Sequence, residues 1–91
     1  MLSNTTNTPP DAEALALAAL AATLTDERRA QRFLDLTGLD ADELRSRVGD
    51  RAVLAAALGF LEAHEPDLVE VAQAIGIKPE AIISARAELE R

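Results

Sequence analysis

The strongest candidate for chemistry lies near the C-terminus. Between Val71 and Glu90, in VAQAIGIKPEAIISARAELE, the residues Ala72, Gly76, Ile77, Ile82 and Ala85 fall where a helix-turn-helix needs them. In that motif alanine lets two helices cross closely, glycine makes the corner and the aliphatics lock the second helix. Reading DNA also demands polar and basic side chains on that second helix. Here it offers Glu80, Ile83, Ser84, Ala87, Glu88 and Glu90, with Lys78, Arg86 and Arg91 as its only cations. Such a surface repels phosphate, so the corner reads first as a packing device. A helix-turn-helix transcriptional regulator binding DNA through residues 71–90 is the alternative.

A second candidate is the arginine run. Arg28, Arg29, Arg32, Arg45, Arg47 and Arg51 place six of the nine cations between residues 26 and 51, among seven acids. Arg28 and Arg32 stand one helical turn apart and would present a small cationic stripe to an acidic or phosphorylated partner. The plainer reading is a solvated helix face.

Catalysis and metal binding find little support. His64 is the only histidine and there is no cysteine, so any nucleophile–base pair or His-based metal site would rest on one residue. At the end of a helix, beside Glu65, Pro66 and Asp67, a cationic imidazole would complement the helix dipole instead. No GxxxxGK phosphate loop occurs. Asp40, Asp42 and Glu43 resemble the opening of a calcium loop, but Arg45 takes the place of its glycine and Arg51 that of its bidentate glutamate. The expectation is a non-enzymatic protein without cofactor or metal.

The elements that would position these residues are helices. Nineteen alanines and fourteen leucines make up over a third of the 91 residues, whereas Val, Ile and Phe number four, four and two, with no Tyr or Trp. That bias favours helix, because Ala and Leu lose little side-chain freedom there and strand formers are scarce. A formal charge of −7 disfavours nucleic acid and anionic membrane as partners. The uncharged runs Ala14–Thr25 and Ala52–Leu61 fall short of the roughly 20 residues that cross a bilayer. MLSNTTNTPP lacks the pattern of a secretory signal, so a cytoplasmic location is expected.

Residues 1–8 read as a loose tail and residues 9–91 as one helical domain. Thr8 and Pro9 would open a helix over residues 9–24, and Thr25 would cap the next, which ends at Gly38 and turns Ala30, Phe33, Leu34 and Thr37 inward. Asp40 and Glu43 form a capping-box pattern for a short helix through Leu44 and Val48 that Gly49 ends. Asp50 caps a helix over residues 51–64 whose Val53, Leu54, Ala57, Leu58, Phe60 and Leu61 cover nearly half its circumference, so it should be central. Gly59 inside it implies that a neighbouring helix passes close. Pro66 opens a helix to Ile75, with Leu68, Val71, Ala72 and Ile75 in one stripe, and Pro79 opens the last, with Ile82, Ala85 and Leu89. The expected fold is an all-α compact bundle of five main helices plus a short connecting helix, with a helix-turn-helix-like C-terminal corner.

A shift of 38 positions sets Gly38-Leu39 over Gly76-Ile77, Leu44 over Ile82 and Ser46 over Ser84. Two such short copies indicate one corner geometry used twice rather than a solenoid. The first helix is apolar all round, with Leu17, Leu20 and Leu24 on one side and Leu15 opposite. Either the fold wraps it, or a spare face carrying Leu15, together with Ile83 or Val69, docks onto another copy or another protein.

Taken together, AEALALAAL, RFLDLTGLDADELR, AVLAAALGFL and AIGIKPEAIISAR resemble a small bacterial family, domain of unknown function 3572, over about residues 11–89. The likeness rests on Arg32, Phe33, Leu34, Gly38, Leu39, Leu44, Gly59, Phe60, Leu61, Ala85 and Arg86 in that order and spacing. It implies a compact helical domain from a bacterial cytoplasm and brings no activity and no functional residues with it. The expected role is a protein–protein interaction module, binding a protein partner or forming a homodimer. The candidate contacts are Arg28, Arg32, Leu15 and Ile83.

Overall fold

Helix start signals in the sequence become six helices in space. The computed structural model describes residues 11–91 and comprises α1 (Ala12–Thr23), α2 (Glu27–Thr37), α3 (Ala41–Ser46), α4 (Arg51–Glu62), α5 (Glu65–Ala74) and α6 (Pro79–Leu89). No strand occurs among the described residues, and the architecture is the expected one of five main helices and a short connector. The expected tail, the Thr8 cap and the Pro9 start lie outside the described residues.

Most caps follow from local chemistry. Asp11, Asp26, Asp40 and Asp50 each accept a backbone N–H at the start of a helix, satisfying donors that the helix itself cannot. Asp40 and Glu43 close the full capping box, Glu43 N to Asp40 Oδ1 at 2.8 Å and Asp40 N to Glu43 Oε1 at 3.0 Å. Thr25 is not the cap of α2. Its hydroxyl donates back to Ala22 O at 2.7 Å, and Asp26 receives the N–H of Arg29 instead. His64 does not close α4 either. It stands as N-cap of α5 without a side-chain cap bond, because α4 already ends at Glu62 and Ala63.

The core forms where α1, α4 and α6 pack on one another, with α5 lying against all three. Helix α4 is central as expected, burying Val53, Leu54, Ala55, Ala57, Leu58, Phe60 and Leu61. Burying such a side chain is worth about 1.5–3 kcal/mol each, which is why one apolar helix can organise the rest. Ala16 and Ala19, fully buried, allow close approach to α1, and Leu20 seals the contact. The fold covers one face of α1 only. Leu15 packs in part against the core, while Leu17 and Leu24 face outward, so Leu17 rather than Leu15 is the spare leucine. An all-apolar helix has no phase in its pattern to reveal this.

Both glycine corners adopt the left-handed conformation, Gly38 at φ 75° and Gly76 at φ 74°. Their hydrogen bonds differ. Gly38 N reaches Leu34 O at 2.9 Å, whereas at the second corner Ile77 N closes the wider ring to Ala72 O at 2.9 Å. Gly49 is not left-handed, and α3 ends earlier, at Ser46 with Arg47 as its cap. The neighbour that passes close to Gly59 is α6, through the side chain of Arg86, whose Nε lies 3.5 Å from where a β-carbon would stand.

Candidate functional site

The arginine run divides according to what each side chain finds. Arg29 is buried: its Nε donates to Thr23 O at 3.2 Å, Nη2 to Ala22 O at 2.9 Å and Nη1 to Glu70 Oε1 at 2.6 Å. It thereby occupies carbonyls at the end of α1, a helix with no basic residue in its last turn. Arg51 does the same for α6, donating from Nε to Leu89 O and from Nη2 to Glu88 O, while Nη1 pairs with Glu13 of α1. Sequence reasoning treated both as surface cations. For Arg29 the signal passed over was the end of α1, which has no glycine and no basic side chain of its own; α6 carries Arg86 in its last turn, so nothing of that kind marked Arg51.

Arg28 and Arg32 do not make a stripe. Arg32 turns to the buried carboxylate of Asp67, Nη2 to Oδ2 at 2.7 Å, with its guanidinium carbon 5.5 Å from the centre of the Phe60 ring. Phe60 in turn meets Phe33 edge to face, with ring centres 5.4 Å apart. Arg32 is thus a link between α2, α4 and α5. Arg28 stays exposed and forms no ion pair among the described residues.

Among the polar residues that α2 presents outward, Glu27, Arg28, Gln31, Arg32 and Asp35, stands one large aliphatic side chain. Leu36 is 75% exposed, the most exposed large hydrophobic of the described residues. Beside it a shallow hollow of about 320 Å³ is lined by Leu36, Thr37, Leu39, Arg47, Ala52, Val53 and Ala56. On the other flank of α2, one hollow of about 500 Å³ runs from Leu24 and Arg28 to Leu34, and another of about 480 Å³ runs from Leu34 to Leu39 and Glu43. Leu39 lines hollows on both flanks. Helix α2 buries only Arg29 and Phe33, the fewest among the five longer helices, and leans chiefly on α4. The sequence reading missed Leu36, because a leucine between Asp35 and Thr37 carries no mark of being left uncovered.

Elsewhere the candidate groups are already engaged or stand alone. Ile83 is exposed on α6, beside a hollow of about 150 Å³ shared with Glu62, Arg86, Ala87 and Glu90. There Arg86 donates to two carboxylates, Glu62 at 3.1 Å and Glu90 at 3.2 Å, and its bond to Glu62 is the first of the causes that raise its pKa. The outward face of the C-terminal corner carries Glu80, Ser84 and Glu88. Among the described residues no cluster of three or more His, Asp or Glu could hold a metal ion, and no helix is long and apolar enough to cross a membrane.

A family model described as "Protein of unknown function (DUF3572)" matches residues 9–91. No curated protein and no solved structure matches the chain.

Proposed function

The chain belongs to the DUF3572 family, whose description names no function, and from the surface of α2 we propose that it is a non-enzymatic protein-binding module that docks its partner on α2. The observation carrying this reading is Leu36, three-quarters exposed beside an open apolar hollow. Soluble proteins rarely leave a large aliphatic side chain standing next to unfilled apolar space, and a partner's side chain seated there would cover both. Helix α2 suits the role mechanically. Its two buried anchors, Arg29 and Phe33, fix it to the bundle while most of its surface stays free.

The acidic outer face of α6 offers nothing to a phosphate backbone, so the C-terminal corner is better read as the packing element beneath this module. The test is the size of the native species. A tagged chain extracted gently from its own cells should elute well above its own 9.7 kDa. Leu36→Asp should return it to that mass, whereas Val69→Asp, on an exposed residue of α5, should not. Elution of the unaltered chain at its own mass, or insensitivity to Leu36→Asp, would sink the reading.

A further inference from the structure

Resting on α2 as the docking element, we propose that the groove along its outer flank receives a cationic amphipathic helix of another protein. The two hollows on that flank share Gln31 and Leu34, so they form one channel running the length of α2. Its lining is mixed: the apolar side chains Leu24, Ala30, Leu34, Leu39 and Ala41 follow one another along it, and beside them Glu27, Asp35, Asp40 and Glu43 stand against one cation, Arg28.

None of those four carboxylates takes part in an ion pair among the described residues. Asp35 accepts only from the neutral amide of Gln31, at 2.9 Å, and Asp40 and Glu43 accept each other's backbone N–H groups. Elsewhere on the described surface Arg29, Arg32, Arg45, Arg47, Arg51, Arg86 and Arg91 each pair with an acid, and the acids without an ion pair, Asp11, Asp26, Glu65 and Glu80, stand at the starts of α1, α2, α5 and α6. What sets the channel apart is local: Asp35, Asp40 and Glu43 line one hollow, toward the Leu39 end, that holds no cation, and Arg28 stands toward the other end.

A partner complementary to this channel carries aliphatic side chains at helical spacing and Lys or Arg beside them, concentrated at the end that meets Asp35, Asp40 and Glu43. A second copy of this chain would set the same acidic rim against itself, and nucleic acid or anionic lipid would be repelled. Helix α2 spans roughly 16 Å at about 1.5 Å per residue, so about three turns of a partner helix fill the channel.

The experiment is a titration of the full, isotope-labelled chain, followed by amide shifts and by fluorescence anisotropy. The probe is a helical peptide of about 15 residues, one face leucine and the other lysine. A leucine–glutamate peptide and a lysine peptide without leucine are run beside it. The expected result is shifts confined to the neighbourhood of Gln31, Leu34, Asp35, Leu39 and Ala41, from the leucine–lysine peptide alone. Gln31→Lys with Asp35→Lys should weaken binding about tenfold, a loss typical of reversed charge at an interface rim. Gln73→Lys with Glu80→Lys, which changes net charge equally on α5 and α6, should weaken it less than about threefold. The amide spectra report that each variant is folded.

Equal binding of the lysine-only peptide, equal losses in the two double variants, shifts spread over other faces, or no shift would each overturn the proposal. So would dimerisation of the purified chain through these same amides. A native complex that depends on Leu36 without any peptide shift removes the cationic helix and leaves α2 as the docking element. A native chain that runs as a monomer removes α2 docking itself.

Discussion

Arg86 of α6 lies across Gly59 of α4, its Nε 3.5 Å from the place a β-carbon would take, and reaches on to Glu62 one turn away. That spacing is ordinary van der Waals contact, so a methyl group fits without moving the guanidinium. Gly59→Ala should therefore stabilise the chain by about 0.5–1 kcal/mol through helix propensity and the lower freedom of the unfolded state. Gly59→Val, with two further carbons, should push Arg86 off Glu62 and lower stability instead. Urea unfolding midpoints of the two variants check the sign of each change. A loss in Gly59→Ala would mean that the contact tolerates nothing larger than hydrogen.

Arg29 should matter far more than the carboxylate it pairs with. Arg29→Ala strips the partner from the carbonyl of Thr23 at a buried helix end, while Ala22 O keeps the Thr25 hydroxyl, and a buried acceptor left unpaired costs about 1–3 kcal/mol. A loss of about 1–3 kcal/mol is expected. The side chain of Glu70 is 69% exposed, so Glu70→Gln should cost at most about 1 kcal/mol. Thermal melts of both variants make the comparison. Equal losses would place the stabilising work in the ion pair rather than in the capping of α1.

These two arginines mark the limit of what the sequence discloses. Features set within a few residues were legible: the Asp40–Glu43 box, the Asp50 cap, the buried stripe of α4 and the left-handed glycines. Features set by packing were not. Arg28, Arg29 and Arg32 are neighbours in the chain, yet one is exposed, one is buried on α1 and one turns to Asp67, 35 positions away. Nothing in their local pattern separates them. Leu15 and Leu17 were indistinguishable for a related reason, since a helix apolar all round has no polar side to orient it. Of the candidate site, the acidic residues were visible but Leu36 was not, because exposure follows from what the neighbouring helices leave uncovered.

Acid should weaken the fold through two identifiable caps. The carboxyl of Asp26 is held below its ordinary 3.8 first by the backbone N–H of Arg29, and that of Asp50 first by the guanidinium of Arg47 and then by the N–H of Ala52. A carboxylate whose folded pKa is depressed contributes all its stabilisation above the unfolded value and loses it as pH falls through the folded one. Asp50→Asn keeps a competent cap but removes the charge. The variant should melt below the unaltered protein at neutral pH, and the gap should close as pH falls from about 4 towards about 2. Melting followed by circular dichroism across that range gives the comparison, and a gap independent of pH would show that the charge of Asp50 contributes nothing.

The three glycines that follow helices should respond differently to the same substitution. At Gly38 an added β-carbon meets nothing within 4 Å, so the only penalty is the backbone conformation, φ 75°. An L-residue held there costs about 1–2 kcal/mol, and Gly38→Ala should lose that amount. Gly76, at φ 74° and also with open space around it, should behave alike. Gly49 has the same open surroundings without a positive φ. Gly49→Ala should therefore cost nothing, or gain about 0.4–1 kcal/mol by restricting the unfolded chain. Asparagine separates conformation from any other cause, because it tolerates the left-handed region better than alanine. Gly38→Asn should recover part of what Gly38→Ala loses, while at Gly49 the two substitutions should differ little. Urea midpoints across this set read the backbone directly: an alanine at Gly38 as stable as one at Gly49 would mean that the first corner is not held left-handed in solution.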